Sequence, residues 1–235
     1  MPGLFASLTG VPVVACRLTV LYSGIWHADV TLDRAPPAPL VGPQVLALAG
    51  STWACAVVQV GDYAGVRKAR LVGGTGGWRR PVLAPELPPP FVSPLGVPIA
   101  LVLAAAAGLA RELPVNLAGY IGSPLLGSPP LGGAYVFQAG PMSLVLHDLL
   151  GDDWWIDATG QVQVAPVRPP VPIVSPWTCT DFDGSKGTYE IATDSPADWV
   201  PGAVFVGPTV QGSVSRVTHH LDGTKLRSVV IGPPS

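Results

Sequence analysis

Proline decides where this chain can be regular. Residues 34–43 (RAPPAPLVGP), 83–96 (LAPELPPPFVSPLG) and 166–176 (PVRPPVPIVSP) read as connections, because each proline removes a backbone N–H donor and fixes φ. The stretches between them must form short elements. In 26–32 (WHADVTL), Trp26, Ala28, Val30 and Leu32 alternate with His27, Asp29 and Thr31, the period of a half-buried antiparallel strand. Residues 13–21 (VVACRLTVL) alternate in part, with a turn at 22–25 between the two. Residues 45–49 and 52–60 form a hairpin about Gly50 and Ser51, and 61–65 turn the chain into a basic strand at 66–72. Short strands at this spacing predict a small barrel or sandwich.

The period changes after residue 96. Ile99, Val102, Leu103, Ala106, Leu109 and Leu113 follow helical spacing behind Pro98, and Pro114 stops the helix. Residues 116–133 read as an irregular surface loop or a partner-contacting arm. A second helix, 142–150, is ended by Gly151, and 154–157 pairs with 161–164 about Ala158, Thr159 and Gly160. Beyond 176 the pattern is β again, at 177–182, 188–193, 203–206, 213–220 and 225–231. Asp222-Gly223 between the last two is the strongest hairpin signal in the chain. The order β, α+β, β implies that the outer segments pair in space, with the middle as an insertion.

Only 12% of residues are charged, about half the usual share, and mean hydropathy is +0.43. Free monomers coat themselves in charge, so this chain is expected to cover much of its surface with other protein chains. The longest apolar run, 94–110, contains Pro98 and two glycines and falls short of the ~20 residues of a spanning helix. The first ten residues lack the basic region of a signal sequence. The expectation is a protein neither secreted by that route nor membrane-spanning. Cys16, Cys55 and Cys179, with no CxxC, fit small buried hydrophobes in a reducing compartment. A net charge of −2 predicts no general affinity for nucleic acid.

The densest local pattern is VRKARLVGGTGGWRR, residues 66–80. Gly73, Gly74, Gly76 and Gly77 bracket Thr75, Trp78 follows, and Arg67, Lys68, Arg70, Arg79 and Arg80 are five of the thirteen Lys and Arg. A Walker loop needs Gly-Lys-Ser/Thr at its end, and a dinucleotide fingerprint needs glycine where Arg79 stands. The run therefore reads as a close-packed turn at a subunit contact. Its cations form a rim that pairs with a neighbour's acidic groups or lines a passage for a polyanion. Two alternatives carry chemistry: a cell-wall glycosidase using two of Asp148, Asp152, Asp153 and Asp157, or a carbohydrate- or receptor-binding platform of tryptophans. His219 and His220, on opposite strand faces, read as hairpin histidines beside solvent rather than metal ligands. No GxSxG elbow occurs and Cys55 has no local partner, so neither a catalytic set nor a cofactor or metal is expected.

The segments TVLYSGIWHADVTLD, GDYAGVRKARLVGGTGGWRR, LHDLLGDDWWIDATGQVQVAP, IATDSPADWVPGA and VSRVTHHLDGTKLRSVV together resemble small baseplate or tail-tip proteins of tailed bacteriophages. These are similar in turn to baseplate hub proteins that form a ring at the end of the tail tube. The resemblance implies a mainly β fold with a small α+β insertion. Two β-barrel-like tube domains, residues 1–82 and 170–235, would flank a helix-containing segment, 83–169. It further implies a structural virion protein in a homo-oligomeric ring, a trimer with pseudo-sixfold symmetry, contacting other tail proteins and joining tube to spike or tip. No membrane and no specific nucleic-acid binding are implied, although DNA would pass through the lumen. On this reading the 73–80 turn contacts the next subunit.

Overall fold

The computed structural model describes residues 5–33, 39–63, 66–120, 131–207, 210–223 and 225–232. Six strands open the fold: β1 (Ala6–Leu8), β2 (Val11–Leu21), β3 (His27–Leu32), β4 (Pro43–Leu48), β5 (Ser51–Tyr63) and β6 (Val66–Gly73). They pair in the order β1-β4-β5-β6-β3-β2, and β1 also pairs with β2, so the sheet closes into a barrel. The expected alternation fills it: Ala28, Val30 and Leu32 point inward with Leu8, Leu18, Leu46, Leu48, Trp53 and Leu71.

Two tight turns hold the register. Thr9 and Gly10 have φ of 47° and 82°, and Ala49 and Gly50 have φ of 46° and 81°. Both are two-residue connections of the kind that match strand twist, with both central residues left-handed. The second hairpin therefore turns one residue earlier than the sequence suggests, and Ser51 opens β5 opposite Leu48. Likewise β5 runs on to Tyr63 because Gly61 and Asp62 continue the ladder opposite Lys68 and Arg67, past a bulge between Val57 and Gln59. Residues 64–65 of the expected turn, and 34–38 of the first proline-rich connection, lie outside the described residues.

The insertion carries α1 (Ile99–Ala110) and α2 (Ser143–Leu150), then a hairpin of β7 (Trp154–Ile156) and β8 (Val162–Val164). α1 stops before Pro114. Arg111 takes a left-handed conformation (φ 56°) and the Glu112 N–H bonds back to the Ala107 carbonyl, a closure that satisfies the helix end. The prolines of 83–96 still permit one helical turn, Ala84–Glu86, and a short pairing of Phe91–Val92 with Ala134–Tyr135. Most of the expected 116–133 loop, residues 121–130, lies outside the described residues.

The last segment comprises β9 (Trp177–Asp183), β10 (Thr188–Thr193), β11 (Ala203–Val206), β12 (Gln211–Ser213), β13 (Arg216–Asp222) and β14 (Lys225–Ile231). The strand expected over 213–220 splits: Ser213 pairs with Val204, and β13 begins at Arg216. β13 lies antiparallel to β2, from Arg216 opposite Leu21 to Asp222 opposite Ala15, and β14, β10 and β9 continue outward. The outer segments thus join in one ten-stranded sheet. β2 serves both: Val11 and Pro12 pair with β1, while residues 15–21 pair with β13. Val217, His219 and Leu221 face the same way as their partners Val20, Leu18 and Cys16, and all six are buried. The second core is aromatic, with Trp177, Trp199, Tyr189 and Phe205 in largely edge-to-face contact at 5.0–5.8 Å between ring centres.

Candidate functional site

With both cores on one side of the sheet, its other side faces outward across both β segments. Strand register aligns a polar row along it. Gln59 stands opposite Arg70, Arg70 opposite Asp29, Asp29 opposite Arg17, Arg17 opposite His220, and His220 opposite Arg227. Arg70 forks onto Asp29 at 2.7 and 3.1 Å, and Arg227 reaches Glu190 at 2.7 Å. The Arg70 hydrogen bond holds the Asp29 carboxyl below its ordinary range. His27 and His220 are drawn below the usual imidazole value, chiefly by partial burial, and Arg17 adds to the effect at His220. Both are neutral at pH 7. Beside this row lies a cleft of about 770 Å³ lined by Arg17, Asp29, Gln59, Lys68, Arg70 and His220.

The outward positions carry Arg17, Lys68, Arg70, Arg216, Lys225 and Arg227 against Asp29, Asp181, Glu190 and Asp222. The face therefore leans cationic in a chain whose net charge is −2. Exposed pairs of this kind contribute at most about 1 kcal/mol each to stability. Their chemical effect is to keep a broad surface hydrated and mixed in sign, without a dense basic stripe.

The glycine loop at 73–80 joins this barrel to the insertion. A Cβ on Gly73 would stand 2.5 Å from the Trp26 indole nitrogen, and one on Gly77 would collide with the Ala110 carbonyl at the end of α1. Glu112, delivered by the left-handed turn at Arg111, accepts the Thr75 and Gly77 N–H groups at 2.9 and 2.7 Å. Trp78 is buried. The close approach implied by the glycines is thus made with the chain's own helix, and Thr75, Arg79 and Arg80 are the parts of the loop left at the surface. The carboxylates that meet three of the five cations are also the chain's own. Arg67 forks onto Asp62 at 2.7 and 2.6 Å, Arg70 takes Asp29, and Arg80 stands 3.6 Å from Glu86. Lys68 lines the cleft.

Several of the other candidate residues have structural roles. Asp157 accepts from the Thr159 N–H and hydroxyl, the Gln161 N–H and the Gln163 amide, which commits its carboxylate to the β7–β8 turn. Asp148 and Asp152 are exposed. Trp26, Trp53, Trp78, Trp154 and Trp199 are buried, so the tryptophans form no surface platform. His219 corrects the expectation of a solvent-side histidine: it is fully buried, with Nδ1 2.8 Å from the Ser228 hydroxyl, and burial draws its pKa down to about 4. Burial pushes the Cys16 and Cys55 thiols up to about 12 and about 11, which leaves them inert. Among the described residues no set of three His, Cys, Asp or Glu gathers to hold a metal, and no helix is long and apolar enough to cross a membrane. The row residues Arg17 and Arg227 escaped the sequence reading, whereas His220 stands at the surface as expected. Their strands showed the right alternation, but nothing local announces which strand lies beside which.

The closed six-strand barrel that shares its sheet with a second β segment, with a small helical insertion between them, has likenesses among solved structures of phage-tail and tail-like proteins. Two solved structures display the likeness. The prophage MuSo2 43 kDa tail protein from Shewanella oneidensis matches with a TM-score of 0.62 over 97% of this chain and 97% of that chain, at 9% identity. A protein of E. coli, a component of the type VI secretion system with structural similarity to the T4 bacteriophage tail proteins gp27 and gp5, matches with a TM-score of 0.55. That match covers 97% of this chain and 76% of that one, again at 9% identity. No protein-family model and no curated protein matches the sequence.

Proposed function

We propose that this chain is a structural, non-catalytic subunit of a phage tail or tail-like assembly. It forms a hub-type homo-oligomeric ring, a trimer, that joins the tail tube to the central spike or tip of the virion. The observation that carries the reading is the ten-stranded sheet with both cores on one face. Such a sheet presents one continuous polar wall, suited to the wet lumen of a ring. The slight cationic excess on that wall suits passage of a polyanion such as DNA without holding it, because the cations alternate with Asp29, Glu190 and Asp222. Packing into neighbours accounts for a chain with only 12% charged residues. The subunit contact is placed at the surface of the 73–80 loop, Thr75, Arg79 and Arg80, with other tail proteins above and below the ring.

The test is the mass of the purified protein by light scattering, with negative-stain images of the same sample. A closed trimer or hexamer with a central opening is expected, and Arg79→Glu with Arg80→Glu is expected to shift it to smaller species. A monomer at tens of micromolar, with no ring in the images, would refute the ring.

A further inference from the structure

At the junction of barrel, insertion and second β segment lies a cavity of about 480 Å³, walled by Trp53, Trp155, Asp157, Arg168, Ala197 and Val200. We propose that it is a binding site for a single carboxylate carried on an apolar or aromatic stem. Three observations converge on that chemistry.

First, Arg168 is 7% exposed and has no carboxylate within ion-pair distance among the described residues. Its guanidinium lies 4.3 Å from the Trp155 ring centre and 5.5 Å from that of Tyr22. It donates to the Pro201 and Leu21 carbonyls at 3.3 and 2.9 Å, and its Nε–H has no partner. Burial lowers its pKa to about 9, so it stays protonated at neutral pH. A buried cation without a counter-charge is costly, and an anion that completes its hydrogen bonds relieves that cost.

Second, the carboxylate already in the wall cannot do this, because Asp157 is committed to four hydrogen bonds in its own turn. Third, Trp53, also in the wall, has a buried indole N–H with no partner. Two unsatisfied donors, one of them on a cation without a counter-charge, favour an acceptor group even though the Ser51 and Thr52 hydroxyls also line the cavity. One cation balances one negative charge, which favours a carboxylate over a doubly charged phosphate, and the aromatic walls suit an apolar stem.

The probes are 3-phenylpropionate and its neutral amide, followed through the tryptophan indole N–H signals in nitrogen-edited NMR. A parallel pair, N-acetyl-Phe-Glu-amide and its Gln counterpart, tests a carboxylate presented by another protein. The acids are expected to move the Trp53 and Trp155 signals saturably, at least about tenfold more tightly than the amides. Saturation by the free acid points to a small-molecule source, and saturation by the Glu peptide alone points to a protein segment. Arg168→Lys keeps a charge but loses the planar fork, and is expected to weaken binding about tenfold or more. Trp53→Phe keeps the ring and removes the donor, and is expected to weaken it several-fold. The proposal is overturned if no acid saturates either signal, if amides bind as well as acids, or if both variants bind like the parent.

Discussion

Glu112 offers the sharpest test of how the barrel is fastened to its insertion. Its carboxylate accepts the Thr75 and Gly77 N–H groups at 2.9 and 2.7 Å, in a half-buried setting where few other acceptors can replace it. Charge-assisted hydrogen bonds contribute about 1.5–3 kcal/mol each, and the partial exposure places both at the lower end. Glu112→Ala is therefore expected to cost about 3 kcal/mol. For a chain of this size each kcal/mol lowers Tm by roughly 2–4 °C, so calorimetry should record a fall of about 6–12 °C. Glu112→Gln keeps one acceptor but turns an amide N–H toward the other donor, and is expected to cost about 2 kcal/mol. Hydrogen exchange gives the local readout. Loss of about 3 kcal/mol corresponds to roughly a hundredfold faster exchange at Thr75 and Gly77, if these amides open with the loop. A Tm within about 1 °C of the parent, with exchange at both amides unchanged, would show that the loop is held by packing alone and refute the clamp.

Gly77→Ala sets a Cβ against the Ala110 carbonyl, a backbone atom that cannot swing aside, and is expected to cost about 3 kcal/mol or more by chemical denaturation, whereas Gly108→Ala, where a Cβ meets nothing, is expected to be neutral or stabilising. His219 makes stability pH-dependent: its folded-state pKa of about 4 lies below its ordinary 6.5, so the unfolded chain binds the proton first. The contribution is complete above pH 6.5 and is lost as pH falls toward 4, by about 3 kcal/mol in all; urea midpoints of a His219→Gln variant should show a flatter slope across that window. Asp29 raises the His27 pKa against the lowering effect of burial and of Arg70, so Asp29→Asn should drop the His27 midpoint further in an NMR titration, and Arg70→Met should raise it.

The local structure was legible where a residue dictates its own conformation. The alternation of Trp26, Ala28, Val30 and Leu32 placed the faces of β3 correctly, Gly151 ended α2 with φ 58°, and a hairpin joins β13 to β14 as expected, although Asp222 stays in the ladder opposite Lys225 and the turn begins one residue later. Two of the misplaced boundaries share a cause. Ala49 and Arg111 adopt left-handed conformations that neither residue prefers, because a hairpin twist in one case and a helix closure in the other outweigh the local preference. The outer segments pair as expected, but which strands make the pairing was illegible for a different reason. β13 meets β2 across about two hundred residues of chain, and no local signal in THHL or CRLT names the partner. The polar row and the burial of His219 follow from that register, and so stayed hidden. Arg168 lies within a proline-rich connection, and only the convergence of Tyr22, Trp155 and Pro201 on it shows that it is buried.

β2 explains why the two β segments form one body. Its eleven residues close the barrel at one end through β1 and carry the seven-residue ladder to β13 at the other. Separating the segments would strip that ladder and expose Leu18, Val20, Val217 and His219 together, at roughly 25 cal/mol for each Å² of apolar surface uncovered. Arg168 adds a second tie, bonding Leu21 at the end of β2 and Pro201 ahead of β11 from within the connection that follows the insertion. The relation of barrel to second β segment is therefore fixed by covalent continuity, backbone pairing and a buried side chain at once. A polar wall assembled across that seam, with Arg17 of β2 beside His220 of β13, keeps its charge pattern only if the seam does not move. Rigidity at β2 is thus a precondition for any role in which that face meets a partner or lines an opening. Variants that weaken the β2–β13 ladder should for this reason disturb the polar wall and the buried residues behind it together.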